Sequence, residues 1–342
     1  MGSNPTPRTK TIISKDSLET HPLYSRYKTD KSAPFRPTFK AAVVEYESSR
    51  GPDMEELIAT QDLTKTYKDV HAVKGLDLCI HQGEIFGFLG PNGAGKTTTI
   101  RVLTTLAKPT SGAARIAGFD VAAKPDEVKK IIGVVQQHLT MDLDLNLEEN
   151  MDLHGRLHHM VSSERQKRIA ELLDYVGLTD QSKRMIPDLS GGMKKAAMIA
   201  RALMHKPKLL FLDEPTVGLD VQTRRLIWNL IRRLNGEGTT VFLTTHYIEE
   251  AEALCHRVGI VHEGRLISLG TPAELRQKVG LVTVETLTNG KFSQFKYFPD
   301  REVANVYVQS LPSEVKTVII RESNLEDVFV ELTGKKVGDD ER

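Results

Sequence analysis

The stretch Gly90-Pro91-Asn92-Gly93-Ala94-Gly95-Lys96-Thr97-Thr98 decides how the chain is read. It fits the spacing G-x-x-x-x-G-K-[ST], with Gly90, Gly95, Lys96 and Thr97 at the fixed positions, and it follows the apolar run Ile85-Phe86-Gly87-Phe88-Leu89. A strand feeding a helix through such a loop is the context the motif requires. The glycines let the backbone curl until successive N–H groups face one concavity, and a helix starting at Lys96 adds its positive end. The product is a phosphate cradle. Lys96 is placed to reach the β- and γ-phosphates of a nucleotide, and the Thr97 hydroxyl to hold a Mg²⁺ ion bridging them.

Outward from this loop, composition sets the bounds. A length of 342 residues leaves room for one large domain and a smaller one, and 39% hydrophobic content suffices for a core. Lysine plus arginine (46) balance aspartate plus glutamate (45), so the net charge of +1 gives no nucleic-acid footprint and no nucleic-acid partner is expected. Cys79 and Cys255 lie far apart without a C-x-x-C pattern, which argues against a disulfide framework and fits a reducing compartment. No apolar run approaches the ~20 residues of a membrane-spanning helix, and the N-terminus lacks a signal-peptide core. A soluble chain is expected, with any membrane role exercised through contacts.

Residues 1–53 are rich in Pro, Ser, Thr and Lys and are broken at Pro5, Pro7, Pro22, Pro34 and Pro37, which predicts a disordered extension. Gly2 and Thr6 match an N-myristoylation pattern, but Pro5 sits inside it and chance is the better account. Residues 57–80 alternate apolar and polar around the turn Lys68-Asp69 and read as antiparallel strands. Tyr67, just ahead of the loop, is either a packing residue or a ring on which adenine stacks.

Beyond the loop, residues 97–106 read as a helix with Ile100, Leu103 and Leu106 on its apolar stripe. Residues 131–135 read as a buried strand ending at Gln136-Gln137, where a side chain can ligate Mg²⁺ through its carbonyl and orient water through its amide, though by themselves these glutamines read equally as surface residues. From about 145 to 188 the pattern is helical, with Leu153, Leu157, Ile169, Leu172, Leu173 and Val176 expected on apolar faces. His154 and His158 stand four apart, the spacing of some zinc pairs. Gly155 rules out H-E-x-x-H, and no acidic residue nearby sits at a ligand spacing, so a half-exposed pair without metal is expected.

Two further stretches sharpen the chemistry. Leu189-Ser190-Gly191-Gly192-Met193 opens a helix. Ser190 is an ordinary N-cap, yet with the free amides of Gly191 and Gly192 it also makes a second phosphate site, one that a single chain does not need for its own nucleotide. Closure on a nucleotide held by another subunit is the natural inference. Leu209-Leu210-Phe211-Leu212 is a strand suited to a parallel sheet, and it delivers Asp213 to a Mg²⁺ coordination sphere and Glu214 as a general base for water. Asp220 follows in a loop suited to a dimer seam, and a strand at 239–245 ends at His246, an imidazole able to sense a γ-phosphate.

In this order and spacing the motifs resemble the ATP-binding cassette ATPases over roughly residues 56–275. Lys194-Lys195, the run Thr244-Thr245-His246-Tyr247-Ile248-Glu249-Glu250-Ala251-Glu252 and the late Asn324-Leu325-Glu326-Asp327-Val328-Phe329 are similar to the daunorubicin-resistance type, the ATPase subunits of ABC-2 exporters. The resemblance implies an α/β fold, a P-loop NTPase cassette at 54–275 with a RecA-like core, an antiparallel β subdomain and a helical subdomain at about 140–190. A small α+β appendage would follow at 276–342. It further implies a head-to-tail pair of ATPase subunits, two ATP molecules between them, and an integral membrane permease that holds them at the cytoplasmic face of the cell membrane. Carried over by position, Tyr67 stacks adenine, residues 90–98 with Lys96, Thr97 and Thr98 hold phosphates, and Thr97, Gln137 and Asp213 hold Mg²⁺. Gln137 couples to the permease, Glu214 and His246 support hydrolysis, and Ser190, Gly191, Gly192 and Asp220 act in trans. Met193 stands where importer-type signatures carry glutamine, and Val221 where proline is frequent. In the C-terminal part, strands are expected at 282–287 and 315–320, helices at 303–309 and 325–332, and a charged tail from 334. The competing readings are an importer ATPase and a soluble ATPase of translation or repair.

Overall fold

The computed structural model describes residues 55–288, 291–312, 315 and 317–334. The expected extension at 1–53, with its Gly2/Thr6 pattern, and the tail beyond Gly334 lie outside the described residues. In chain order the first elements are β1 (Glu56–Tyr67), β2 (Val70–His81), β3 (Ile85–Leu89), α1 (Lys96–Leu103), β4 (Ser111–Ile116), β5 (Phe119–Asp120), α2 (Pro125–Ile131) and β6 (Ile132–Val135). Then come α3 (Leu147–Leu157), α4 (Ser162–Tyr175), α5 (Gly191–Ala202), β7 (Leu209–Asp213), α6 (Val221–Gly236), β8 (Thr240–Thr245), α7 (Ile248–Leu254), β9 (Arg257–His262) and β10 (Arg265–Gly270). The remainder is α8 (Pro272–Val279), β11 (Val282–Thr288), β12 (Lys291–Phe298), α9 (Arg301–Gln309), β13 (Thr317–Glu322) and α10 (Leu325–Thr333).

Unbroken apolar runs make the central layer. β3, β7 and β8 are buried at every position, as strands covered on both faces must be. Their sheet has the order β10-β9-β3-β8-β7-β6, parallel from β9 to β6, with β10 antiparallel at the edge. The Phe242 ring lies 5.6 Å from Phe86, 5.6 Å from Phe88 and 5.4 Å from Phe211, filling the middle of the layer. Because β3 pairs with β8 and β8 with β7, the carboxyl ends of three strands distant in sequence come side by side: Leu89 opposite Thr245, Asp213 opposite Thr244. That edge is where an open α/β sheet presents a ligand crevice.

The alternating segment forms the expected hairpin, Tyr67 opposite Val70 across Lys68-Asp69, within a four-stranded sheet β2-β1-β4-β5. The Lys74 N–H donates to the Gly264 carbonyl at 2.8 Å, and the Arg257 guanidinium donates both to the Cys79 carbonyl of β2 and to the buried Glu84 at 3.1 Å, so this sheet is tied to β9, β10 and the start of β3.

Two expected apolar faces differ. α1 ends at Leu103, and Leu106 is 55% exposed beyond Thr105, whose φ of 65° has already left the helix. On α3 the inward residues are Leu147, Asn150, Met151 and Gly155, whereas Leu153 and Leu157 point outward. The spacing of four from Leu147 selects Met151 and then Gly155, and an added Cβ at Gly155 would lie 2.5 Å from Arg165 Cδ on α4. Close approach of the two helices, reinforced by the Asp152–Arg165 ion pair, sets the rotation of α3 that leaves both leucines outside.

The C-terminal strands and helices appear close to where expected, the strand expected at 315–320 standing at Thr317–Glu322, and β12 is an additional strand beside β11 in the order β12-β11-β13. α10 returns to the main core: Leu325, Val328 and Phe329 are buried in one cluster with Ala251, Leu254 and Leu275, and the Leu325 N–H donates to Glu252 at 3.0 Å.

Candidate nucleotide site

Gly90 leaves β3 with its N–H on the Thr245 carbonyl at 3.2 Å, and a Cβ there would stand 2.3 Å from the Val261 carbonyl oxygen. Only glycine lets the loop start this close to the sheet. Gly93 and Gly95 have φ of 77° and 99° and turn the backbone over. Ala94 fixes the return: its N–H donates to Pro91 at 3.3 Å and its carbonyl accepts from Gly264 at 3.1 Å. Helix α1 then begins with Gly95 as N-cap, with no capping side chain and no acidic residue in its first turn. The amides of Lys96, Thr97 and Thr98 thus stand at a helix end that favours an anion.

Lys96 is almost fully buried, and its ammonium donates to the Gly90 carbonyl at 2.7 Å and the Pro91 carbonyl at 3.0 Å. Its Nζ also lies 3.2 Å from Glu214 Oε1. Burial lowers the Lys96 pKa, and the Glu214 and Asp213 carboxylates offset part of that effect. On the other side of Glu214, Oε2 lies 3.0 Å from His246 Nδ1, off the line a hydrogen bond needs. Burial would raise the Glu214 pKa, but the close imidazole and the Lys96 charge outweigh it and hold the carboxyl below its ordinary range.

Backbone geometry aims this carboxylate. Glu214 has φ of 46°, rare for a residue with a side chain, and its N–H is held by the Thr244 carbonyl at 3.2 Å and hydroxyl at 3.1 Å. The same Thr244 hydroxyl donates to Asp213 Oδ1 at 2.5 Å, while the Thr97 hydroxyl lies 3.4 Å from that oxygen. Thr97 and Asp213 are hard oxygen donors placed side by side, a set that fits Mg²⁺.

The structure therefore brings together Lys96, Thr97, Asp213, Glu214 and His246, and adds Thr244, to which the sequence assigned no role in the site. Lys195 is a second addition. Its buried ammonium donates to the Gln136 and Gln137 carbonyls at 3.4 and 3.3 Å, and burial lowers its pKa against the opposing pull of Asp213, Glu250 and Glu214. Helix α5 is thereby fastened to the loop after β6. Gln137 meets this lysine with its backbone, and its side chain is exposed. A third addition, Glu250, has no exposed surface and accepts from Thr216 at 2.8 Å and Trp228 at 3.0 Å, linking the loop after Glu214 to α6 and α7.

Other expected residues stand apart. Ser190 caps α5 by accepting from Met193 at 3.3 Å, and Asp220 caps α6 by accepting from Gln222 and Thr223 at 3.0 Å each. Gly191 opens α5, and a Cβ at the next residue, Gly192, would lie 2.2 Å from Thr223 Cγ2, so the two caps pack as one unit. Neither side chain is bonded to Lys96, Thr97, Asp213 or Glu214. Tyr67 is 40% exposed, with the Lys65 ammonium 4.7 Å from its ring centre.

The chain is similar to known proteins. A family model described as ABC transporter matches residues 73–217. The chain is 36% identical over 311 residues to the linearmycin resistance ATP-binding protein LnrL of Bacillus subtilis (strain 168), covering 83% of this chain and 100% of that one. It is 44% identical over 223 residues to the daunorubicin/doxorubicin resistance ATP-binding protein DrrA of Streptomyces peucetius, covering 65% and 68%. Among solved structures, the dimeric post-hydrolysis state of the ATP-binding cassette MJ0796 bound to ADP and Pi superposes with TM-score 0.58 at 31% identity, over 63% of this chain and 98% of that one. With the phosphate loop, the Asp213–Glu214 strand end and full-length relatives in agreement, the chain belongs to the ATP-binding cassette family of ABC transporter ATPases.

Proposed function

We propose that the chain is the ATP-binding and hydrolysing subunit of an ABC-2 type exporter, working against a separate membrane permease at the cytoplasmic face. The resistance-protein relatives support the exporter branch, and no helix among the described residues is long and apolar enough to cross a membrane, so a transport path would be supplied by another chain. The observation that carries the catalytic part is the buried contact of Lys96 with Glu214 beside Thr97 and Asp213.

The loop amides and the first turn of α1 receive the triphosphate, and Lys96 exchanges Gly90, Pro91 and Glu214 for phosphate oxygens. Thr97 and Asp213 would hold Mg²⁺, which when bound neutralises charge on the β- and γ-phosphates. Glu214, released from Lys96, polarises the attacking water and takes up its proton, with His246 positioning the carboxylate. Tyr67 would offer its open ring to adenine, and Gln137 would couple the site to the permease. Ser190, Gly191, Gly192 and Asp220 present a second helix N-terminus that closes on ATP held by the partner subunit, so two chains complete two sites. The dimeric assembly of the MJ0796 cassette supports that arrangement. Co-purification of the tagged chain with a polytopic protein, together with ATPase activity stimulated by that protein, tests the reading. Stable association with ribosomes or DNA instead would overturn it.

A further inference from the structure

The helical segment between β6 and β7 contains a cluster outside the nucleotide site. His154 and His158 lie on successive turns at the end of α3, and His205 joins them from the turn that follows α5. The candidate ligand atoms of the three all lie within 4.8 Å of one another. The ring centres of His154 and His158 are 4.8 Å apart, and those of His158 and His205 are 3.8 Å apart with planes 5° from parallel. Two nitrogens in this group, His154 Nε2 and His205 Nδ1, are buried without a hydrogen-bond partner. Orphaned polar atoms at that depth are costly unless something binds them.

His205 shows what that something is. Its Nε2 lies 2.8 Å from the Ile132 carbonyl, which can only accept, so Nε2 carries the proton and Nδ1 presents a lone pair. A backbone carbonyl that fixes the tautomer and leaves the other ring nitrogen open is the usual support of a metal-bound imidazole. We propose that His154, His158 and His205 form a three-histidine site for a divalent transition metal such as Zn²⁺, with its fourth position open to solvent. Burial pushes all three imidazoles below their ordinary pKa, helped at His154 and His205 by the neighbouring cluster rings and at His158 by His159, so they are neutral near pH 7, as ligands must be. Stacked rings cannot aim in-plane lone pairs at one ion, so one of them, His158 at the half-buried end of α3, would turn on binding. The Arg201 charge opposes a cation here, but its guanidinium is bonded to the Thr140 carbonyl at 2.7 Å and hydroxyl at 2.6 Å. Metal at this place would clamp α3 to the turn after α5, the helix that Ser190 caps.

The test uses the full chain, stripped with EDTA, desalted and free of added nucleotide, so its outcome is independent of the ATPase reading. Zn²⁺ alone is titrated by calorimetry, and Co²⁺ by its visible absorption. One equivalent should bind saturably, with the bands of a four-coordinate cobalt site, and His158→Gln and His205→Gln should each weaken affinity at least ~10-fold. If His205→Gln fails to fold, His158→Gln carries the test alone, because that ring is half-exposed and its loss leaves the core intact. Absence of saturable one-equivalent binding, or binding unchanged in His158→Gln, would overturn the site.

Discussion

The Lys96 ammonium lies 3.2 Å from Glu214 Oε1, both groups buried, so the cation suited to grip phosphate and the carboxylate suited to polarise water neutralise each other within one chain. On the proposed function, an arriving γ-phosphate would compete with Glu214 for the same ammonium. Binding and release of the base would then be one exchange of partners.

Replacing Glu214 by Gln keeps the size and both hydrogen-bonding positions but removes the charge. ATP binding should be retained, measured by equilibrium dialysis, while steady-state turnover falls at least ~100-fold through loss of general-base help. Turnover near that of the unchanged protein would remove Glu214 from the role.

Ser190→Arg places a long cation where a partner's γ-phosphate would meet the start of α5. Ser190 is exposed and its bond to Met193 is a single cap, so the fold should survive at a cost of about 1 kcal/mol. Nucleotide binding by one chain should be unchanged, and ATP-driven dimerisation, followed by sedimentation in the Glu214→Gln background, should be lost. A dimer of normal stability would show that α5 does not close on ATP.

Much of this was legible in the sequence because the decisive features are local. Glycines at fixed spacing, an apolar strand delivering Asp213-Glu214, and a serine ahead of two glycines each announce their geometry within a few residues. The features that were not legible depend on which strands become neighbours. Thr244 looks like any β-branched residue of β8 until the β7–β8 register sets it opposite Asp213. Lys195 and Glu250 stand in the sequence only as members of family-like runs, and packing is what shows them buried beside the site. Leu153 and Leu157 looked inward by hydrophobicity alone, whereas Gly155 and its contact with Arg165 decided the rotation of α3. The third histidine is 47 residues beyond His158, since 205 minus 158 is 47, and no local spacing rule reaches that far.

Glu250 provides a test of one such buried group. Burial raises its pKa against the opposing bonds from Thr216, Trp228 and their neighbours, so its ionised form is unfavourable in the fold. A carboxyl raised in the folded state stabilises below its unfolded pKa and loses that contribution as pH rises through the folded value. Glu250→Gln, which still accepts from Thr216 and Trp228, should therefore be as stable as the parent or more so at pH 7. Glu250→Ala leaves both donors without a partner and should lose about 1–3 kcal/mol in urea unfolding. Equal stability of the two variants would mean the bonds to Thr216 and Trp228 contribute nothing.

The histidine cluster sets a pH dependence of the opposite sign. Burial first, then the charges of His158, Arg201 and His205, lower the His154 pKa from 6.5 to about 3, and burial with His158 lowers His205 from 6.5 to about 4. Between 6.5 and those values the unfolded chain binds protons that the folded chain refuses, so stability is full above pH 6.5 and falls as pH drops toward 4. In EDTA, the urea midpoint should decline from pH 7 to pH 5. His154→Gln deletes one of the two groups and should flatten that decline, whatever its effect at pH 7. The slope isolates titration from packing, because a lost contact shifts the whole curve while a lost proton site changes only its tilt. An unchanged tilt in His154→Gln would show that His154 protonates in the fold as readily as it does unfolded.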